Sequence, residues 1–189
     1  MFSFNLGGDM KRSEVNEMRA LALEYYEKAG IILTDEEKAN IEVADLGLGM
    51  VKQVGLEIVT YINTERVCAK EMVLIPYQTC PEHKHVPTNG NSGKEETFRC
   101  RYGKVYLYTD TDKSAKKEDI HAPIPPTDVT VFAETILLPG QQFTIMPETL
   151  HWFCAGEEGA VISEFSTRST DETDYFTDKR IVREPKIED

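Results

Sequence analysis

The chain has 189 residues, with 33 acidic against 21 basic side chains and a formal charge of −12, a balance that repels phosphate backbones and anionic lipid and argues against nucleic acid or a membrane surface as partner. Its 40% hydrophobic and 29% charged composition is that of an ordinary globular domain, and the length suits one domain with a single core. No apolar run approaches the roughly 20 residues of a bilayer span, and no charged-then-apolar export signal opens the chain, so a cytoplasmic location is expected.

Residues 1–9 (MFSFNLGGD) have no sustained period and read as a variable extension. Residues 10–50 read as helical decoration. From Ser13, a candidate N-cap, the apolar positions Val15, Met18, Ala22, Tyr25, Tyr26 and Ala29 recur at helical spacing, and Gly30 supplies a stop. Thr34-Asp-Glu-Glu37 is a capping box that starts a second, short helix ending before Gly47 and Gly49.

Residues 51–169 are strand-rich. Leu56–Ile62 and Cys68–Ile75 are dense in Val, Ile, Leu and Tyr and are joined through Asn63 and Thr64. Further short strands are expected at Val105–Tyr108, Val129–Leu138, Gln142–Met146, Leu150–Cys154 and Ala160–Ser166, with turns at Pro139-Gly140, Pro147 and Gly156–Gly159. Asp110–Asp128 is polar and proline-punctuated, a loop in which His121 is solvated. Short strands after a helical segment predict an antiparallel β-barrel or jelly roll with N-terminal helices. Residues 170–189 form an acidic tail packed on that barrel. Cys68, Cys80, Cys100 and Cys154 show no CxxC spacing and read as buried free thiols.

The chemistry concentrates in PEHKHVPTNGNSGKEETFRCRYG, residues 81–103, and GQQFTIMPETLHWFC, residues 140–154. In an extended chain His83 and His85 point to one face. The Pro/Asn/Gly loop Val86–Ser92 is expected to fold the next strand back beside the first and bring Glu96 level with them. His151 then supplies a fourth ligand from a neighbouring strand. Three imidazoles and a carboxylate suit Mn, Fe, Ni or Zn and leave coordination positions open for chemistry. Counting by twos puts Lys94, Phe98, Cys100 and Tyr102 on the ligand face and turns Arg99 and Arg101 away. With Lys94 the one inward cation, a neutral polyol fits better than a phosphorylated sugar. Glu164, a carboxylate in the apolar run VISEFST, is a candidate proton-transferring base. Asp174 and Asp178 lie where the tail returns.

These residues resemble the two cupin motifs. Glu96 and Gly103 keep the first motif's spacing, while the gap from His85 to Glu96 is longer than usual. Gly140 and His151 keep the second motif's overall distance, with Pro147 displaced by one and Ala155 in place of the closing asparagine. More specifically, the HKH to KEE stretch, PETLHWF and EFSTRSTDETDYF resemble the D-lyxose isomerase family of cupins, over most of the chain from Met10 onward. The resemblance implies manganese at His83, His85, Glu96 and His151, with Fe, Co, Ni or Zn as alternatives. It carries catalytic roles over to Glu164 and Lys94, and Lys94, Phe98, Asp174 and Arg180 are the candidate substrate contacts. The arginine of the family's Asp-Asn-Arg-Phe run is missing here, where the chain reads Asp174-Tyr175-Phe176; either Arg180 replaces it or the substrate contacts differ. The implied reaction is conversion of a free monosaccharide, D-lyxose to D-xylulose and D-mannose to D-fructose, through an enediol. Edge strands and the N-terminal segment make a homodimer the expected assembly. A cupin-type glucose-6-phosphate isomerase, an iron-dependent cupin dioxygenase and a non-catalytic sugar-binding cupin stand as alternatives.

Overall fold

The computed structural model describes residues 10–88, 90, 92–184 and 187–188; the expected extension 1–9 lies outside them. A two-residue strand β1 (Met10–Lys11) leads into α1 (Arg12–Lys28), whose buried face is Val15, Met18, Ala22, Tyr25 and Tyr26. Gly30 ends the helix at φ +69°, a conformation open to glycine at little cost. The start differs from expectation. Lys11 is the cap, its N–H donating to Glu14 Oε2 at 3.4 Å, so Ser13 already lies inside the helix. Helix α2 (Asp35–Ala39) begins on the expected box: the Glu37 N–H donates to Thr34 Oγ1 at 3.2 Å and the Thr34 N–H to Glu37 Oε2 at 2.7 Å.

Strand β2 (Glu42–Ala44) follows, in a stretch read as helical from the sequence. Three residues carry no period of their own, and β2 is a strand because it pairs with β3 (Leu56–Asn63). The remaining strands are β4 (Cys68–Leu74), β5 (Thr79–Lys84), β6 (Glu96–Thr109), β7 (Ala133–Leu137), β8 (Gln142–Ile145), β9 (His151–Ser166), β10 (Tyr175–Phe176) and β11 (Ile187–Glu188). They form one curled antiparallel sheet in the order β10-β5-β9-β4-β3-β2, with β6 joining β9 to β7 and β8; β1 and β11 pair apart from it, in parallel. This is the expected jelly roll with N-terminal helices. Among the described residues no helix is long and apolar enough to cross a membrane, and all four cysteines are buried and free.

Strand β9 is the pivot. Its first residues pair with β5, its last seven with β4, and β6 runs along most of it. The sequence suggested two strands separated by a turn at Gly156–Gly159, but the chain continues as one. The turn signal is real in another form: pairing with β6 jumps from Gly103↔Ala160 to Val105↔Ala155, so residues 156–159 bulge opposite Lys104. Gly103 and Gly159 have φ of +70° and +78°, and a Cβ on Gly103 would lie 2.0 Å from the Gly159 carbonyl oxygen. Only glycine fits there. Strand β7 is shorter than the expected Val129–Leu138, because the N–H groups of Thr130 and Val131 donate instead to the buried Glu82 carboxylate at 2.6 and 3.0 Å.

Inside the curl, Ile58, Met72, Phe98, Leu107, Phe153 and Ile162 form the main core. Outside it, Tyr26 and Ala22 of α1 cover Val59, Val73 and Val161. Glu57 lies two residues before Val59 on the same face of β3, fully buried, where Gln78 Nε2 donates to its Oε1 at 3.3 Å. Burial pushes this carboxyl up to about 8, the Gln78 amide opposing it in part. The folded protein therefore keeps a proton that the unfolded chain releases near 4.5, and stability falls as pH rises between these values. Glu57→Gln removes that ionisation and keeps the shape. The variant should match the wild type below about pH 4 and exceed it above pH 8, by on the order of 3–5 kcal/mol. Urea unfolding of both proteins across this range checks it; parallel stability curves would show that Glu57 does not titrate on unfolding.

Candidate active site

His83 lies on β5, His85 just past its end, and His151 opens β9 directly opposite His83 in register. Glu96 opens β6 and pairs with Ser166 at the far end of β9, while Thr109 at the other end of β6 pairs with His151. The expected hairpin through Val86–Ser92 is not formed: β5 and β6 share no pairing and both lie against β9. Curling of the sheet, rather than a turn, brings Glu96 to the histidines. One ligand atom from each of His83, His85, Glu96 and His151 lies within 4.8 Å of the others, and all four residues are buried.

Each imidazole is fixed from behind. His83 Nδ1 lies 2.8 Å from the Pro81 carbonyl oxygen, His151 Nδ1 2.9 Å from that of Thr149, and His85 Nδ1 2.7 Å from Asp174 Oδ1. A carbonyl oxygen only accepts, so His83 and His151 carry their protons on Nδ1 and present the Nε2 lone pair to the centre. That creates a conflict. His151 Nε2 sits 3.1 Å from Glu96 Oε1, and it is a buried atom without a hydrogen-bond partner. His85 Nε2 is 2.9 Å from the same oxygen. Burial, reinforced by the neighbouring His151 and His85, holds His83 well below the usual imidazole range. Lone pairs converging on a carboxylate in a closed site are the donor set of a divalent cation, and the residues fit one.

A second network adjoins the first. Lys94 Nζ lies 2.8 Å from Glu96 Oε2, 3.1 Å from Glu164 Oε1 and 3.2 Å from Asp171 Oδ1. Burial works against the Lys94 charge, but Glu164, Glu96 and Asp171 outweigh it and raise the lysine well above its usual range. Glu164, on β9, also accepts from Ser166 Oγ at 2.9 Å. Lys70, paired with Glu164 across β4 and β9, places Nζ 3.9 Å from Glu164 and 2.5 Å from Asp171. Arg183 completes the set, with NH2 3.7 Å from Asp171 and NH1 2.6 Å from Glu42.

Of the residues singled out from the sequence, His83, His85, Lys94, Glu96, Phe98, Glu164 and Asp174 line one cavity. Arg180 does not. Its guanidinium is half-exposed and clamps Asp178, with NH2 2.5 Å from Oδ2 and 2.9 Å from the Pro126 carbonyl oxygen. The substitute for the family's missing arginine therefore ties the tail to the 110–128 loop, and the tail contributes Arg183 to the cavity instead. Arg99 and Arg101 bond Gln142 and Ser163 and do not line the cavity, as the strand alternation required. His121, expected to be solvated, is largely exposed yet bound to Glu134 at 2.6 Å.

Sequence reasoning missed Lys70, Asp171 and Arg183. A signal existed for Lys70: in CAKEMVL it shares a face with Met72 and Leu74, and a lysine on the inward side of an apolar strand calls for an anion. Asp171 and Arg183 follow the last long strand, where no period selects a face. Lys70 and Arg183 also overturn the premise that Lys94 is the sole inward cation. The lining holds three cationic side chains against four carboxylates, Glu96, Glu164, Asp171 and Asp174, and every cation is already paired. A phosphate would have to break these pairs.

A family model described as D-lyxose isomerase matches residues 34–189. The D-lyxose/D-mannose isomerase of Thermosediminibacter oceani is 56% identical over 183 residues, covering 95% of this chain and 99% of the relative. The D-lyxose ketol-isomerase of Cohnella laeviribosi is 52% identical over 182 residues, covering 95% and 98%. Among solved structures, the L-ribose isomerase of Acinetobacter sp. DL28 in complex with L-ribose superposes with a TM-score of 0.74 at 14% identity, covering 97% of this chain and 100% of that one; at this identity the likeness concerns the fold.

Asp174 was expected to contact substrate, but its nearest partner is His85 Nδ1. A carboxylate in that place fixes the tautomer and raises the basicity of Nε2. Asp174→Ala should therefore weaken divalent-metal affinity roughly 10- to 100-fold with no sugar present. Chelator competition followed by elemental analysis measures it, and unchanged metal affinity would return Asp174 to the role of a substrate contact.

Proposed function

We infer what this site does from the premise that the chain belongs to the D-lyxose isomerase family. It is an aldose–ketose isomerase, and we assign it D-lyxose with D-xylulose as the main pair and D-mannose with D-fructose as a second. The observation that carries the assignment to particular residues is the adjacency of a cation-binding cluster and a buried carboxylate: Lys94 bridges Glu96 and Glu164 with contacts of 2.8 and 3.1 Å.

His83, His85, Glu96 and His151 would hold the ion, manganese by the family resemblance, with Fe, Co, Ni or Zn chemically admissible. A divalent ion there supplies Lewis-acid polarisation of the sugar carbonyl and acidifies the proton alpha to it. The rest falls to the protein. Glu164 takes the proton from C2 of the open-chain aldose and returns it to C1, so that the sugar passes through an enediol. Lys94 is held charged by three carboxylates and would steady the oxygen on which negative charge develops. Phe98, buried beside His151 with ring centroids 6.4 Å apart, walls the site against water. Free sugars are favoured over sugar phosphates because no lining cation lacks a carboxylate partner.

A homodimer is the assembly we assign. Ile62, Ala69 and Phe165 lie side by side in register across β3, β4 and β9 on the outer face, and Ile62 and Phe165 are about half exposed there. Four reduced, buried cysteines accord with a cytoplasmic location.

Glu164→Gln keeps the size and much of the hydrogen bonding but cannot accept a proton. Its kcat should fall by at least about 10²-fold, with metal content and sugar binding retained. In deuterated water the wild type should place deuterium at C1 or C2 of the product. No incorporation, together with near-normal kcat in the variant, would indicate a hydride shift in which Glu164 takes no part. His151→Ala should lose both activity and most bound metal, as elemental analysis will show; full metal occupancy would mean that the ion binds elsewhere.

A further inference from the structure

The concave floor of the sheet does not end at the cavity just described. Thr60 pairs with Lys70, Lys70 with Glu164 and Glu164 with Phe98, so one row of side chains crosses β3, β4, β9 and β6 on a single face. The segment after β9 lies over this row. Asn63 pins it: Asn63 Nδ2 donates to the Ser169 carbonyl oxygen at 3.0 Å, and the Ser169 N–H donates to Asn63 Oδ1 at 3.1 Å. From there Asp171 meets Lys70 and Lys94, and Arg183 comes in from the chain end to meet Asp171 and Glu42.

These side chains form a wall with space on both sides. On the metal-ligand side the cavity is ≈ 40 Å³, room for about three water molecules at roughly 10–15 Å³ each and far less than a pentose occupies. On the other side is a polar pocket of ≈ 470 Å³. The two share Lys70, Asp171 and Arg183 as lining. A third pocket of ≈ 230 Å³ adjoins the cavity through Lys94 alone. A sugar whose first two carbons sit at the histidine cluster must extend its remaining carbons somewhere, and the larger pocket, which shares three lining residues with the cavity, is the roomier continuation.

We propose that this outer pocket is the subsite for the distal, non-reacting end of the sugar, and that Arg183 is the residue that sets the length of aldose accepted. The assignment rests on the isomerase function above. D-Lyxose and D-mannose share their configuration at C2, C3 and C4, and mannose is longer by one hydroxyl-bearing carbon at the distal end. Discrimination between them therefore belongs where that carbon arrives. Arg183 is suited to the position: it is held by one contact at 3.7 Å to Asp171 and one at 2.6 Å to Glu42, so its guanidinium can turn toward Glu42 and yield to the chain. Asp171 has three other partners, Lys70, Lys94 and Ser169, and stays.

The test compares kcat/KM for D-mannose and D-lyxose in metal-loaded wild type, Arg183→Ala, Thr60→Trp and the double variant. Removing the guanidinium should raise the mannose-to-lyxose ratio about fivefold or more, within what one carbon in a shaped pocket is worth. Thr60→Trp fills the outer pocket from the strand side without touching the histidine cluster, and should lower the ratio about threefold alone and cancel the gain in the double variant. If Arg183→Ala does not fold, the Thr60→Trp ratio decides by itself. A ratio within twofold of wild type in every folded variant, with wild type active, overturns the subsite and leaves the isomerase function standing. A wild type inactive on both sugars overturns the function first, and the subsite with it.

Discussion

Three imidazoles whose protons are pulled outward, toward two carbonyl oxygens and a carboxylate, leave three lone pairs facing one glutamate in a closed space. Among the described residues only Lys94, 2.8 Å from Glu96 Oε2, and a proton on His85 oppose that repulsion. Groups of this kind cost folding stability unless something else occupies the space between them, and a divalent cation is what this donor set suits. Without the ion a proton must serve in its place: burial disfavours charge on His85, yet Glu96 and the Asp174 hydrogen bond outweigh it and push the ring up to about 9. The same four side chains thus offer a single cation site, filled by whichever cation is present.

Every other feature of the site is arranged around that charge. Strand β9 carries His151 at its first residue and Glu164 near its last turn of the sheet, and because it pairs with β4, β5 and β6 it fixes both against the ligands from the neighbouring strands. Lys94 then ties Glu164 to Glu96, so the proposed base and the proposed ligand are coupled through one ammonium group. The segment after β9 closes the arrangement. It brings Asp174 behind His85, Phe176 over His83 with ring centroids 5.6 Å apart, and Asp171 between two lysines. Thr177 Oγ1 anchors it by donating to the buried Glu82 carboxylate at 2.6 Å.

The ligand set was legible because metal chemistry restricts residue type: four histidines exist in the chain, and three fall at spacings that share a face or a strand end. Glu164 was legible for the opposite reason, as a charge out of place in an apolar run. What the sequence did not disclose is how the parts meet. Local patterning suggested a hairpin through Val86–Ser92, whereas Glu96 reaches the histidines through the curl of the sheet, a property of strand pairing over more than fifty residues. Gly156–Gly159 read as a turn because glycines that permit a bulge look the same in sequence as glycines that reverse the chain. Arg180 and Arg183 stand three residues apart in a segment without period, and nothing local tells which one faces the cavity.

The tail also shows why counting inward charges is a weaker argument than pairing them. Lys94 alone suggested a site poor in cations and therefore unfit for phosphate; Lys70 and Arg183 triple the count, yet the conclusion about free sugars stands. Each added cation arrived with a carboxylate at hydrogen-bond or near-contact distance, Asp171 for Lys70 and Asp171 with Glu42 for Arg183. A buried cation already neutralised in this way has little to offer a dianion unless its partner is displaced, and displacing a buried carboxylate strands a charge at a cost of several kcal/mol. A neutral polyol faces no such barrier, since its hydroxyls donate to the carboxylates and accept from the ammonium and guanidinium groups without separating them. On the proposed function, the paired lining favours uncharged, hydroxyl-rich substrates by leaving the network intact, and the proposed reading of length falls at its outer edge, where Arg183 is the member held by the fewest bonds.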